Sequence, residues 1–272
     1  MMVFSTEADP LGLAEEILRQ VRKPGRYLGG EWNSAATQPQ QARANWVLVF
    51  PDAYEVGLPN LGVQVLYQVL NDLPCATAQR AYSPWTDMEG VLRGRGLPLC
   101  SLESGVSLRE FDVVGFSLQH ELNYGNMLAA LELGGIAPLA AARAESVFPL
   151  ICGGGPCAVN PEPLADFLDF FVIGDGEEAV REISEICLAC KRRGKPGRQG
   201  KLALLSELAA LKGVYVPRFY EPKYDEQGRL REMEAVVKGA PQRVERRWVA
   251  DLDGLPPLTL SLIHISEPTR PY

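Results

Sequence analysis

From Trp46 onwards the chain alternates short apolar runs with segments of helix length, and no other feature of the sequence constrains its fold as much. The runs are Trp46-Val47-Leu48-Val49-Phe50, a weaker one over 76–81, Leu97-Pro98-Leu99-Cys100-Ser101, Val113-Val114-Gly115-Phe116-Ser117, Phe148-Pro149-Leu150-Ile151-Cys152 and Phe170-Phe171-Val172-Ile173. Helix-length segments lie between or after them at 63–72, 86–95, 124–134, 163–167 and 177–192. Strand and helix in strict alternation predict βαβ units, and hence an α/β domain with a doubly wound parallel sheet of about five strands over 46–190. Each run ends in a loop bearing Gly, Pro or Asp, so ligand contacts are expected at the carboxyl edge of the sheet.

The flanks read differently. Residues 1–45 form an N-terminal extension with one short amphipathic segment, and 46–193 form the α/β domain. Residues 194–259 begin with Gly194-Lys195-Pro196-Gly197-Arg198-Gln199-Gly200, a linker by composition. Strand signals at 213–217, 220–224 and 234–238 then predict a small β extension. Residues 260–272 read as a non-native tail, because the ending after Ser261 resembles translated adapter sequence; His264 then carries no functional information.

A hydrophobic content of 46% suits a chain that buries a real core, and a net charge of −7 without a long single-sign run gives no nucleic-acid footprint. No apolar run approaches a membrane span, and Met1 to Arg22 lacks the apolar core of a signal peptide. The expectation is a cytoplasmic protein with six reduced cysteines.

Four loops stand out. Asp52-Ala53-Tyr54-Glu55-Val56-Gly57 follows the first strand; Asp52, Tyr54 and Gly57 are either functional or a strand-to-helix turn with a capping Asp. Ser117 ends the strand at 113–117 with a small hydroxyl, and His120 after it reads as a loop histidine. Gly153, Gly154 and Gly155 permit positive φ and close backbone approach to a bulky ligand, or form a tight strand exit. Gly174 and Glu177, in Gly174-Asp175-Gly176-Glu177-Glu178, lead into a helix whose first turn is acidic. The dinucleotide fingerprint Gly-x-Gly-x-x-Gly is missing after the first strand. Cys187-Leu188-Ala189-Cys190 has no second pair at zinc-site spacing and sits late in a helix, so these are ordinary helix cysteines.

Taken in order, these loops resemble the B12-binding-like domain fused in front of radical S-adenosylmethionine (SAM) cores. The stretch Phe50 to Tyr67 (FPDAYEVGLPNLGVQVLY) resembles its opening, with Asp-x-Tyr-x-x-Gly where cobalamin-binding domains carry Asp-x-His-x-x-Gly. The resemblance implies a cobalamin-binding, flavodoxin-like fold in which Ser117 contacts the nucleotide tail and the glycines make room for it. Tyr54 cannot supply the nitrogen that the family's His gives to cobalt. That leaves cobalamin held without a protein ligand, or a domain that keeps the shape and only shapes the substrate cleft. A flavodoxin-like carrier is a further reading, resting on fold analogy.

The resemblance also implies a partner, the protein's own radical SAM domain, entered through 211–217 and 247–257. No cysteines here have the Cys-x-x-x-Cys-x-x-Cys spacing of the radical SAM cluster. The [4Fe–4S] cluster and SAM are therefore expected only in the full-length parent, and no catalytic residue or metal ligand is assigned to this chain.

Overall fold

The computed structural model describes residues 15–31, 34–35, 38–194 and 196–251. Its centre is a six-stranded sheet in the order β2-β1-β3-β4-β5-β6. The strands are β1 (Ala44–Phe50), β2 (Ala76–Tyr82), β3 (Val113–Ser117), β4 (Leu150–Gly154), β5 (Phe170–Val172) and β6 (Val214–Tyr215). The first five run parallel and β6 is antiparallel to β5. The order 2-1-3-4-5 is the flavodoxin-like form of the expected doubly wound α/β fold, and its strand order reverses between β1 and β3.

Around the sheet lie α1 (Tyr54–Gly57), α2 (Leu61–Asp72), α3 (Thr86–Arg95), α4 (Tyr124–Leu133), α5 (Glu177–Arg193) and α6 (Gly197–Ala209). α2 and α5 pack together on one face. Right-handed crossovers send α3 and α4 to the other. β1 and β2 are buried at every position because helices cover both faces. Trp46, Phe111, Phe116, Phe170 and Phe171 are among the largest fully buried side chains of the core. Trp46 ties β1 to α5, its Nε1 donating to Ser184 Oγ at 2.9 Å.

Several elements differ from the sequence expectation. Leu97 to Ser101 forms no strand, although it leads to the open edge of β2, where Leu102 N donates to Arg80 O at 2.7 Å. The run is buried as a loop, held by Leu99 N donating to Leu133 O and by a single bridge from Cys100 to Ser107. Pro98, with no N–H, suits that role. The fourth strand lies two residues later than its apolar run, so Gly153 and Gly154 are strand residues and only Gly155 turns to positive φ, +95°. The helix expected at 163–167 is one 3-10 turn, Glu162–Leu164.

The glycine-rich stretch at 194–200 is not a linker, since α6 begins inside it. α6 buries Leu204, Leu205 and Leu208 completely, along with the side chain of Lys201. Val214–Tyr215 joins the central sheet, while β7 (Tyr220–Tyr224) and β8 (Leu230–Ala235) form a separate antiparallel hairpin. Beyond the hairpin the chain returns to the carboxyl edge, where Arg247 makes a parallel bridge to Gly174. The expected non-native tail and His264 lie outside the described residues.

Candidate functional site

The strand-order reversal leaves a cavity of about 220 Å³ between the sheet and the amino-terminal ends of α2 and α5. β1 contributes Trp46 and Leu48 to its floor, and α2 and α5 contribute Leu66 and Val180 to its far wall. Gly115 lies in that floor, and any added Cβ would meet Cys152 Sγ, Leu48 Cδ2 and Trp46 Cζ3 at 3.5–3.6 Å. A Cβ at Gly154 would meet nothing nearer than Val172 O at 3.9 Å, so this strand wall is bare backbone facing open space. Gly153 is different, because a Cβ there would strike Leu118 and Leu168 at 2.7–2.8 Å. Its missing side chain is required by core packing.

The mouth of the cavity is polar. Gln119 Nε2 donates to Ser117 Oγ at 2.8 Å, which leaves the Ser117 hydroxyl hydrogen without a described acceptor. Asp175 Oδ2 accepts from Val249 N at 2.8 Å. Glu177 opens α5, and its Oε2 is buried without a hydrogen-bond partner among the described residues. Leaving a buried acceptor unmet costs about 1–3 kcal/mol, more when it is charged. Gly174, at φ +106°, packs directly under the backbone of Arg247, which leaves no space for a side chain.

Of the residues singled out in the sequence, Ser117, Gly153, Gly154, Gly155, Gly174 and Glu177 come together around this cavity. Asp52, Tyr54 and Gly57 do not line it. Asp52 Oδ1 accepts from Ala53 N at 2.7 Å and shapes the turn into α1. Gly57 lets that turn press on Tyr82 and Phe50, which a Cβ would meet at 2.6–2.9 Å. The Tyr54 hydroxyl donates to Glu31 Oε1 at 2.9 Å, and its ring meets Tyr82 edge-on with centroids 5.4 Å apart. Burial, reinforced by Glu31, pushes the Tyr54 phenol up to about 12, so it stays protonated at neutral pH. Glu31 also pairs with Arg80, whose Nε donates to Glu103 Oε1 at 2.7 Å and whose guanidinium lies over the Tyr67 ring. The Asp-x-Tyr-x-x-Gly loop therefore feeds a structural polar network beside the cavity.

Sequence reasoning missed Trp46, Leu66, Gln119, Asp175 and Val180 as lining residues. Period-two spacing on β1, which pairs Trp46 with Leu48, and i, i+4 spacing on α5, which pairs Gly176 with Val180, would have pointed to some of them. His120 is exposed and accepts from Leu122 N through Nδ1 at 3.2 Å. All six cysteines are free thiols; burial raises Cys187 and Cys190, both on α5. Among the described residues no group of three or more His, Cys, Asp or Glu side chains is placed to hold a metal ion. No helix among them is long and apolar enough to cross a membrane.

A doubly wound α/β sheet with a cleft at its strand-order reversal is the class of domain that these observations define. The chain belongs to the family described as "Radical SAM proteins, N-terminal", whose profile matches residues 62–217. A comparison with curated proteins finds no significant match. Among solved structures, the chain is similar to TsrM from Kitasatospora setae, a radical S-adenosylmethionine methyltransferase, in two forms. The form with tryptophan substrate and a SAM analogue aligns at 15% identity and a TM-score of 0.38, over 68% of this chain and 29% of TsrM. The form with cobalamin and a [4Fe–4S] cluster aligns at 14% identity and a TM-score of 0.39, over 73% and 32%. The chain thus spans about a third of the length of that enzyme.

Proposed function

We propose that this domain is the cobalamin-type cofactor-binding module of a radical SAM enzyme, with the carboxyl-edge cavity receiving one end of the cofactor. The observation that carries the reading is one cavity at the strand-order reversal that joins the bare strand wall at Gly154 to an apolar lining of Trp46, Leu48, Leu66 and Val180, with Ser117 and Glu177 beside them. At about 220 Å³ the cavity is below the usual size for a whole drug-sized ligand, which suits the nucleotide end of a cofactor whose bulk lies outside. Ser117, Gly154 and Glu177 would hold that end. When bound, cobalamin supplies a cobalt centre able to carry and hand over an alkyl group. The residues of this chain would position it, keep water from its buried end and offer the cobalt no nitrogen ligand, since Tyr54 is committed to Glu31.

The cluster and SAM belong, in this reading, to a radical SAM core that docks on the same edge. The exposed side chains Val56, Leu61, Trp85, Leu122, Val159 and Trp248 all follow the carboxyl ends of sheet strands or the bridge to Gly174, and support a face covered in the whole protein. The placement of Tyr54 favours a second reading, a domain that shapes the substrate cleft without binding a cofactor.

Titration of the chain with hydroxocobalamin, followed by absorbance, separates the two. Weak, saturable binding without an imidazole-ligand spectrum is expected, and Gly154→Trp should abolish it while leaving the melting temperature unchanged. Imidazole coordination, or binding untouched by Gly154→Trp, would overturn the assignment of the cleft; no binding at all would leave the scaffold reading.

A further inference from the structure

The β7–β8 hairpin has two unlike faces. Successive residues of a strand alternate between faces, and residues directly opposite in an antiparallel pair share one. Tyr220, Pro222 and Tyr224 therefore lie on one face with their partners Ala235, Met233 and Leu230, and that face is apolar throughout. The other carries Glu221, Lys223, Glu232 and Glu234, with Lys223 Nζ 2.9 Å from Glu234 Oε2. The register shift beside Tyr224 maintains this segregation. In unbroken register Arg231 would oppose Tyr224, and the bulge sets Leu230 there instead. The turn is fixed as well, Asp225 Oδ1 accepting from Gln227 N at 3.0 Å and from Arg229 N at 2.8 Å.

Only the inner half of the apolar face is used by the domain itself. Tyr220 is buried with its ring 4.8 Å from that of Tyr215, and Met233 and Ala235 pack on the core. Towards the turn the same face continues bare, with Tyr224 61% and Leu230 54% exposed. A two-stranded ribbon is marginally stable without a covered apolar face, so burying this outer half would stabilise it. A tyrosine buries about 150–250 Å² at most. Tyr224, Leu230 and Pro222 together thus fall well short of the about 800 Å² per partner of a standard interface between separate molecules. Within one chain so small a patch suffices, because linkage raises the effective concentration to about the millimolar range. The hairpin begins just past the family match, which ends at residue 217 and describes the N-terminal part of radical SAM proteins.

We propose that the outer apolar face of the hairpin, formed by Pro222, Tyr224 and Leu230, is a docking surface for the radical SAM core of the same protein, an attachment separate from the carboxyl edge of the sheet. The inference rests on the reading that such a core follows this domain in the whole protein, and not on the cavity binding cobalamin. The surface of the core that meets it is apolar, since this face offers no charge to pair. The glutamates on the opposite face stay in water.

Hydroxyl-radical footprinting of this chain and of the full-length protein compares the oxidation rates of Tyr224 and Leu230 in the two. Both rates should fall several-fold in the full-length protein, while the buried Tyr220 stays slow in each. Tyr224→Thr combined with Leu230→Thr retains β propensity and removes the apolar surface. In this chain the double variant should melt as wild type does, because both positions are exposed. In the full-length protein it should speed proteolytic release of the domain several-fold. Equal oxidation rates in the two proteins, or proteolysis unchanged by the double variant, would overturn the docking surface while leaving the cavity to be judged by the hydroxocobalamin titration. Protection of Tyr224 and Leu230 that rises with the concentration of this chain alone would overturn it in favour of a second copy. A full-length protein without a radical SAM core would overturn this inference and the proposed function together.

Discussion

The backbone of Arg247 lies directly on Gly174, with Arg247 N donating to Ile173 O at 2.9 Å and Asp175 N donating to Arg247 O at 3.1 Å. This pairing fastens the end of the described chain to the rim of the cavity, and it depends on Gly174 having no side chain and a φ of +106°. Gly174→Ala should therefore destabilise the domain by at least about 2 kcal/mol, combining left-handed backbone strain with overpacking. It should also expose 245–251 to limited proteolysis. Gly154→Ala, whose Cβ meets only open space, should stay within about 1 kcal/mol of wild type in the same urea titration. Equal costs for the two would refute the packing account.

At the opposite end of the sheet Lys201 is completely buried, with Nζ 2.9 Å from Asp169 Oδ1. Asp169 Oδ2 also accepts from Ile151 N at 2.8 Å and receives Arg143. Burial pulls the Lys201 ammonium below its usual range and Asp169 opposes that shift. Lys201→Ala should cost about 3–5 kcal/mol, because it leaves the Asp169 carboxylate short of a cation in the interior. Lys201→Met combined with Asp169→Asn should recover part of that loss, measured by chemical denaturation. A Lys201→Ala variant of wild-type stability would show that the pair contributes nothing.

Glu55 anchors the segment before the sheet, accepting from Lys23 Nζ at 3.0 Å and from Arg26 Nε at 2.9 Å. The hydrogen bonds from Arg26 and Lys23 hold its carboxyl at about 2, against an ordinary value of 4.5. The folded state thus binds this proton less readily than the unfolded one, so the stabilisation is complete above pH 4.5 and is lost as pH falls towards 2. Glu55→Gln should lower the melting temperature at neutral pH and flatten the acid limb below pH 4.5, so that the two profiles converge towards pH 2. An unchanged acid limb would show that the pair is solvent-screened into irrelevance.

Local patterning along the chain was enough to specify the parallel α/β sheet, the loops at its carboxyl edge and six residues around the cavity. Those features follow from apolar runs and glycines whose backbone preferences act over a few residues. Other features needed the assembled fold. Leu97 to Ser101 is as apolar as a strand, but its backbone is met by Leu133 and Ser107, partners supplied by the fold outside the sheet, so it is a buried loop. The stretch 194–200 reads as a linker, yet the helix Gly197–Ala209 begins inside it once Leu204, Leu205 and Leu208 find a core to enter, because burial overrides weak helix propensity. Asp52, Tyr54 and Gly57 have motif spacing that suggests a ligand, yet Tyr54 turns to Glu31 and Gly57 to Tyr82. Which way a side chain faces depends on partners far away in sequence, and Glu31, Arg247 and Glu178 meet theirs only once the sheet has formed. The sequence by itself determined where the cleft would open, while tertiary packing decided which further residues, Trp46, Leu66 and Val180 among them, line it and left Glu177 Oε2 without a partner among the described residues.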